Sequence, residues 1–358
     1  MLNRLPHWTL ILPPMGCLAL LLGSWLPASM PLTLLIALIL AGTVFAAVHH
    51  AEVVAHRIGE PLGTLVLALA VTIIEVALIV SMMVGGGEAK AMLARDTVFS
   101  AIIIVCNGIV GVCLLLGGLR HHVQGFQLQG ANAALGVLIP LAVLTLVLPN
   151  YMHSSAGPAL SASQLAFTGV VSLTFYAVFI FVQTIRHRDY FLVPGSHSED
   201  EHAPPPGKRQ ATISAVLLLI ALVVVVGLAK LLSPTIEHLV AAAGAPPAVV
   251  GIIIAALVLM PEGLAAARAA QADRLQTSLN LALGSVLATI GLTIPVLAGI
   301  YVVLGEPLML GLGVRDIILL LLTLFVSTMT LATGRTTVLQ GMVHLLLFAI
   351  FLFLSIAP

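Results

Sequence analysis

The sequence has very few charged residues for its length. Only 8% of its 358 residues are Asp, Glu, Lys or Arg, whereas 60% are hydrophobic. An ordinary soluble domain has about 25% charged residues. So few polar side chains cannot cover a water-facing surface, which excludes a soluble enzyme, and disorder would need a far less hydrophobic chain. The fourteen basic residues are balanced by fourteen acidic ones, so no basic excess indicates a nucleic-acid partner.

The sequence also lacks the usual marks of a bound cofactor. Its three cysteines, Cys17, Cys106 and Cys113, all lie in apolar runs. They are typical of small buried hydrophobic residues rather than of a disulfide framework or a metal cluster. No nucleotide-binding or flavin-binding signature occurs, which argues against nucleotide-driven transport. We therefore predict a protein without a resident cofactor.

Long apolar runs, by contrast, are abundant. A bilayer core needs about 20 apolar residues per helix, whereas barrel strands have about ten residues of alternating polarity. The sequence therefore predicts an all-α integral membrane protein with about eleven transmembrane helices. These are roughly 8–27, 31–57, 61–84, 97–119, 130–149, 163–186, 211–230, 246–268, 276–304, 313–332 and 337–356. We interpret the first as an uncleaved helix, because Ala28-Ser29-Met30 is a poor signal-peptide cleavage site.

Basic residues predict how the helices are oriented. With the N-terminus in the cytoplasm and eleven spans, the C-terminus lies outside. Ten of the fourteen Lys and Arg residues then fall inside, as the positive-inside rule requires. The other four, on the outside, are Lys90, Arg95, Lys230 and Arg315. The lipid bilayer is one predicted partner, and assembly into a homo-oligomer is left open.

A polar, Pro-rich linker divides the chain. With the first run set aside, the linker separates five apolar runs from five, and an odd number of helices per half requires the second copy to be inverted in the membrane. In the two halves, Thr64 and Gly251 each precede a glutamate by eleven residues. We therefore predict an extra N-terminal helix in 1–30, a first five-helix repeat in 31–186, a cytoplasmic linker in 187–210 and a second, inverted repeat in 211–358.

The two glutamates, Glu75 and Glu262, lie deep within apolar runs. A carboxylate at a helix centre costs about 2.5–3.5 kcal/mol on insertion, so such residues commonly mark ion pathways. Pro261 removes a helical hydrogen bond beside Glu262 and frees a carbonyl oxygen. Corresponding positions of inverted repeats meet near the midplane, where burial and like charge raise a carboxylate's affinity for protons. We predict a site for which cation and protons compete; the alternative is that each glutamate makes a protonated helix-to-helix hydrogen bond.

Neutral polar residues accompany these carboxylates. Such oxygen ligands suit Ca²⁺, which takes six to eight of them, and they can also hold Na⁺ or K⁺. The alternative is that they are ordinary polar contacts between packed helices. The candidates for secondary ligands or gates are Thr72, Ser100, Asn107, Asn280, Ser285 and Thr289.

A histidine-rich cluster lies toward the inner end of the second run. His49, His50, Glu52 and His56 lie within two helical turns, and Glu60 follows them. Because His titrates near neutrality, the cluster predicts a proton relay or a route of access for cations. The alternative is an interfacial helix end with polar residues at headgroup level.

Two segments resemble a known family. The first runs from His50 through Gly59-Glu60-Pro61-Leu62-Gly63-Thr64 to Ile79, and the second comprises Pro261-Glu262-Gly263 with Asn280 to Thr289. Both are similar to the repeats of the ChaA-type bacterial cation/proton antiporters of the cation/Ca²⁺ exchanger superfamily, and the resemblance covers nearly the whole chain. It implies a bacterial inner-membrane protein in which Glu75 and Glu262 bind cation and proton, and in which cation leaves as protons enter.

The chain departs from the calcium/proton branch of that superfamily in one respect. The Gly-Asn-Ala-x-Glu motif of that branch is missing before both glutamates. The ChaA-type members are associated with Na⁺ and K⁺ as well as Ca²⁺. The sequence therefore predicts a secondary antiporter that exports Ca²⁺, with Na⁺ or K⁺ as further candidates, in exchange for H⁺ by alternating access. Two alternatives are a passive cation channel and a membrane metalloenzyme that uses the His49/His50/Glu52/His56 cluster.

Overall fold

A computed structural model describes residues 5–25, 29–59, 62–83, 91–152, 158–192, 206–304 and 308–357. The described part is almost entirely helical. Its twelve α-helices, in chain order, are α1 (His7–Trp25), α2 (Met30–Ile58), α3 (Leu62–Met83), α4 (Leu93–Ile103), α5 (Val110–His121), α6 (Leu128–Ala142), α7 (Ala162–Phe181), α8 (Lys208–Ala242), α9 (Ala248–Gln271), α10 (Leu275–Leu304), α11 (Val314–Leu331) and α12 (Val338–Ile356).

Several helices are extended or joined by tighter or wider turns. A π-helical segment, Ile104–Ile109, joins α4 and α5 into one span. A π-helical segment (Val143–Val147) and a 3₁₀ turn (Leu148–Tyr151) extend α6. A π-helical segment (Val182–Arg186) and a 3₁₀ turn (Arg188–Phe191) follow α7. Two-residue strands β1 (Gln124–Gly125) and β2 (Arg335–Thr336) pair antiparallel, Gln124 opposite Thr336.

The predicted class of fold is confirmed. Ten helices in the described ranges are long and apolar enough to cross a membrane, and α3 adds the shorter apolar stretch Val66–Ser81. Each predicted run coincides with one of these helical spans. Many large apolar side chains on their outer faces are exposed, among them Leu38, Phe167, Val223 and Phe325. A lipid-facing surface requires such side chains.

The predicted end of the seventh run, residue 230, is wrong. Helix α8 continues through Lys230 and Pro234 to Ala242. Lys230 is exposed, so its charge need not end the helix. Near the proline, the hydroxyl of Ser233 donates a 2.7 Å hydrogen bond to Glu237 Oε1, one turn further on.

Local sequence signals explain where several helices begin and end. At the start of α7, Ser161 and Gln164 form a reciprocal capping box, and Thr337 and Gln340 do the same for α12. Such caps satisfy the free N–H groups of a first helical turn. Helix α2 ends at Ile58, and the capping residue Gly59 has a φ of 79°, a backbone conformation that residues with a side chain rarely adopt.

The helices form two compact units. The first comprises Met1–Val84 and His197–Pro247, and the second comprises Gly85–Ser196 and Ala248–Pro358. Each unit therefore takes helices from both sides of the linker. This grouping by contacts differs from the predicted division into repeats, and the predicted repeat boundaries stay a prediction.

In the first unit, α2 packs against α1, α3 and α8. The start of α3 lies unusually close to the end of α2. A Cβ atom at Gly63 would clash with the carbonyl oxygen of Ala55. Glycine at position 63 is therefore needed for this close approach.

In the second unit, α9 runs alongside α4 and α5 in the same direction. Gly251 of α9 lies against Asp96 and Thr97, where an added Cβ would be 3.0 Å from Thr97 N. Twelve residues further along both helical spans, Gly263 lies against Ile109. The helix that carries Glu262 is thus in contact with the α4–α5 span over about three turns.

The loops of the second unit gather at two ends. At one end, β1 pairs with β2, and His121 Nε2 lies 3.0 Å from Gln271 O. These two contacts join the turns that follow α5, α9 and α11. At the other end, Arg95 Nη1 donates to Gly311 O over 2.9 Å and Gly311 N donates to Pro158 O over 3.0 Å. The distribution of basic residues predicts that the first three turns lie on one side of the membrane and the second group of loops on the other. The observed grouping of the loops agrees with this prediction. Which end faces the cytoplasm stays a prediction.

Candidate cation-binding residues

Glu75 lies within the core of the first unit. Its side chain on α3 is only 2% exposed, and Thr72, one turn earlier on the same helical face, is 3% exposed. Among the described residues, Thr72 Oγ1 has no hydrogen-bond partner. A buried hydroxyl oxygen is therefore available one turn from the carboxylate.

Glu262 lies on α9 in the second unit. The residue is half-buried, and its Oε2 atom is fully buried. Helix α9 continues through Pro261, which has no N–H to donate and so leaves one carbonyl oxygen without its helical partner. The predicted pairing of Glu262 with Glu75 stays a prediction.

The neutral candidates divide into two groups. In three of them, the side chain donates a hydrogen bond to another segment of the chain or to a backbone carbonyl of its own helix. Ser100 Oγ donates to Asp96 O over 2.6 Å. Asn107 Nδ2 donates to Thr323 Oγ1 over 2.7 Å, and Asn280 Nδ2 donates to Phe191 O over 2.6 Å. The others are Thr72, the half-buried Ser285 and Thr289, which is 2% exposed.

The histidine cluster of α2 separates into different environments. His50 is fully buried: its Nδ1 lies 3.2 Å from Ser214 Oγ and its Nε2 lies 3.0 Å from Thr9 O. This histidine therefore links α2 to α8 and α1. His49 Nδ1 lies 3.9 Å from Glu52 Oε2 on the more exposed side of the helix. His56 is half-buried, and Glu60 lies outside the described residues.

We expect replacement of His50 by Leu to destabilise the protein without changing how it binds the transported cation. The change removes two buried helix-to-helix contacts, each worth about 0.6–2 kcal/mol in membrane proteins. The melting temperature in detergent should fall, whereas the apparent affinity for the transported cation should stay within about twofold of that of the wild type. A large change in affinity with an unchanged melting temperature would instead assign His50 to the proton relay.

A buried polar chain in the second unit escaped the sequence analysis. Asn107 Oδ1 lies 3.0 Å from His344 Nδ1, and His344 Nε2 lies 3.0 Å from Thr330 Oγ1. In the sequence, His344 stands alone among the apolar residues of the last run, which is typical of a packing residue. Thr323, Ser327 and Thr330 recur at i, i+4 and i+7 and are all buried, and that stripe is the signal that could have predicted a polar face on α11.

Comparison with known proteins decides the family. A sequence model of the sodium/calcium exchanger protein family matches residues 28–185 and 213–357, most of the chain on both sides of the linker. The chain belongs to this family. It is therefore a secondary transporter that exchanges cations, not an enzyme, which sets aside the metalloenzyme alternative. In the described part of the exchanger, no three His, Cys, Asp or Glu side chains come together as a metal site.

Two relatives match the exchanger over nearly its full length. It is 51% identical to "Putative ionic transporter y4hA" of Sinorhizobium fredii, with 99% of this chain and 97% of the relative covered. It is 37% identical to the sodium-potassium/proton antiporter ChaA of Escherichia coli, with 98% and 96% covered. The predicted resemblance to the ChaA-type antiporters is thereby confirmed.

Solved structures share the fold of the exchanger. Native YfkE superimposes with a TM-score of 0.76 at 17% identity, covering 98% of this chain and 100% of YfkE. The H⁺/Ca²⁺ exchanger CAX superimposes with a TM-score of 0.72 at 16% identity, covering 96% and 87%. At such identities the likeness establishes the fold alone.

Proposed function

We propose that the exchanger moves Na⁺, K⁺ or Ca²⁺ out of the cytoplasm in exchange for protons, and that Glu75 and Glu262 bind both. The observation that carries this proposal is the burial of the Glu75 carboxylate, 2% exposed, in the middle of an apolar helix. A carboxylate is too unfavourable there to be retained for packing alone. The relative that is 37% identical, a sodium-potassium/proton antiporter, supports protons as the counter-ion.

The proposed exchange follows from competition for the same oxygens. A buried carboxylate is stable in that environment when it is either protonated or neutralised by a bound cation. Binding of one therefore displaces the other. If the carboxylates are exposed to the two sides of the membrane in turn, cation released on one side is replaced by protons that return to the other.

The neutral polar candidates favour Na⁺ and K⁺ over Ca²⁺. Ca²⁺ takes six to eight oxygen ligands, but the amide oxygen of Asn107 lies 3.0 Å from His344 Nδ1, and that of Asn280 accepts a hydrogen bond from Gln276 Nε2 over 2.9 Å. Thr72 Oγ1 is the best-placed additional ligand for an ion at Glu75, because it lies one turn away and is buried. We propose Na⁺ and K⁺ as the preferred cations and Ca²⁺ as a weaker substrate.

Proton movement in inside-out membrane vesicles tests this function. The vesicles are acidified, a pH-sensitive dye reports the internal pH, and Na⁺, K⁺ or Ca²⁺ is added separately. Each transported cation should alkalinise the interior, with half-maximal response at lower concentrations of Na⁺ and K⁺ than of Ca²⁺. No response to any of the three would refute the antiporter, and ohmic currents without coupled proton movement would support the cation channel instead.

Competition also predicts how the apparent affinity depends on pH. Protons occupy the carboxylates at low pH, so the apparent KM for the cation should fall as the pH on the cation side rises. The fall should not exceed about tenfold per pH unit for each competing proton. Measuring the KM for Na⁺ at several pH values between about 6.5 and 8.5 checks this; a KM that is constant over that range would contradict a shared site.

Two further assignments belong to the same proposal. The exchanger would lie in a bacterial inner membrane with its N-terminus in the cytoplasm, as the distribution of basic residues favours. His49, Glu52 and His56 would lie at the cytoplasmic end of α2 and give cations or protons access. The 3.9 Å separation between His49 and Glu52 supports a role for these two together.

A further inference from the structure

The polar side chains of His344, Asn107 and Thr330, on α12, the α4–α5 span and α11, are buried in the core of the second unit. His344 is 0% exposed and Asn107 is 1% exposed. Polar groups at such a position are retained only when their hydrogen bonds are satisfied. The sequence of donors and acceptors among these side chains therefore shows which atom of each one donates and which accepts a hydrogen bond.

The contacts of Asn107 fix the donor on His344. Asn107 Nδ2 donates to Thr323 Oγ1, so Oδ1 is the atom that faces His344 Nδ1 at 3.0 Å. Because an amide oxygen can only accept, Nδ1 must carry the hydrogen. His344 Nε2 then accepts from the Thr330 hydroxyl, 3.0 Å away, and a neutral ring satisfies every position.

The residue that His344 holds lies on an irregular segment. Asn107 is part of the π-helical segment Ile104–Ile109, and π-helical turns inside α-helices are frequent at functional sites. Helix α12 can approach the segment closely because the residues that face it, Gly108 and Gly111, have no side chain. A Cβ atom at Gly111 would be 3.1 Å from His344 Cβ.

The π-helical segment also contacts α9, the helix that carries Glu262. Its last residue, Ile109, lies against Gly263, where an added Cβ would be 3.1 Å from Ile109 Cδ1. Gly263 directly follows Glu262. A shift of the π-helical segment would therefore be transmitted to the turn of α9 that carries the carboxylate.

We propose that His344 is a positioning residue for cation binding. Its Nδ1–H donor to Asn107 holds the π-helical segment against Gly263 and so fixes the place of Glu262. This inference rests on the proposed role of Glu262 as a cation ligand. It assigns to His344 no contact with the ion and no exchange of protons.

Three substitutions separate the donor at Nδ1 from the rest of the side chain. Asn in H344N places an amide nitrogen near the position of Nδ1 and can still donate to Asn107. Gln in H344Q reaches the position of Nε2 and loses that donor, and Leu in H344L loses both. We expect the KM for Na⁺ to stay within about threefold of wild type in H344N and to rise about tenfold in H344Q and H344L, the fold-change that corresponds to one lost helix-to-helix hydrogen bond.

The maximal rate and a control variant distinguish positioning from general damage. The maximal rate per folded molecule, counted by size-exclusion chromatography, should change far less than the KM in all three variants. Ser355→Ala removes a different buried polar group of α12, a hydroxyl that donates to Phe351 O, and should leave both quantities unchanged. Equal KM values in H344N and H344Q, or a wild-type KM in H344L, would overturn the inference.

The same vesicle assay separates this inference from the proposed function. If Glu262→Gln exchanges like the wild type, Glu262 is not the cation ligand, and the proposed function fails together with the inference that rests on it. If Glu262→Gln is inactive while every His344 variant keeps the wild-type KM, the function stands and the inference alone is wrong.

Discussion

Replacing either Glu75 or Glu262 with Gln is expected to reduce cation-driven proton movement at least about a hundredfold, which corresponds to about 2.7 kcal/mol. Gln keeps the size and polarity of Glu, but it neither releases a proton nor neutralises a bound cation. Both half-reactions of the exchange are therefore lost in each variant. Dye-based measurements in inside-out vesicles, at equal amounts of folded protein, report the loss.

The chain offers a matched control for this experiment. Like Glu262, Glu237 is a half-buried glutamate in a long apolar helix, and its Oε1 accepts a hydrogen bond from Ser233. Gln at position 237 retains that acceptor, so Glu237→Gln should exchange like the wild type. Asp at position 75 or 262 should recover part of the activity, because it restores the charge at a shorter reach. Full exchange by Glu75→Gln or Glu262→Gln would show that the site has been assigned to the wrong residues.

The second large effect is expected at Gly63. A methyl group at this position would meet the backbone carbonyl of Ala55, which cannot move without displacing the end of α2. We expect Gly63→Ala to lower the free energy of unfolding by about 1–3 kcal/mol, as overpacking commonly does. Because Glu75 lies twelve residues further along α3, exchange should fall as well. Thermal unfolding in detergent and the vesicle assay measure the two effects.

Two other glycines make the comparison specific. Gly251 packs less tightly, since its added Cβ would be 3.0 Å from Thr97 N, and Gly251→Ala should have a smaller effect. Gly284 has open space around it, so Gly284→Ala should be neutral or slightly stabilising, because Ala favours the helix. If Gly63→Ala were as stable as Gly284→Ala, the close approach of α2 and α3 would not limit the fold.

Much of the architecture follows from composition and spacing alone. Runs of about 20 apolar residues can cross a bilayer only as helices, because every backbone N–H and C=O must be paired within the segment. In the described ranges, this reasoning located the ten helices that are long and apolar enough to cross a membrane, together with the shorter apolar stretch of α3. It failed at the end of α8, since an exposed Lys230 and an internal Pro234 look the same in a sequence as the end of a helix.

The candidate residues could be predicted to differing degrees. Glu75 and Glu262 stand out because charge is so unfavourable in an apolar run, and the sequence identifies them without any structure. The roles of Asn107, Asn280 and His50 could not be read in this way. A polar side chain at helical spacing is equally compatible with binding an ion and with holding a neighbouring helix, and only its partners distinguish the two.

The sequence by itself predicted a helical membrane protein with two glutamates in apolar runs, because bilayer insertion imposes the same requirements on every residue of a span. Its resemblance to the ChaA-type antiporters then indicated the class of transport. Only the tertiary structure decided which polar side chains pair with each other. It showed that His344 and Asn107, 237 residues apart, share a hydrogen bond. It also showed that Gly63 and Gly263 lie at close helix contacts. These facts depend on which helix faces share a core, and helical periodicity carries no information about the neighbour that a face will meet.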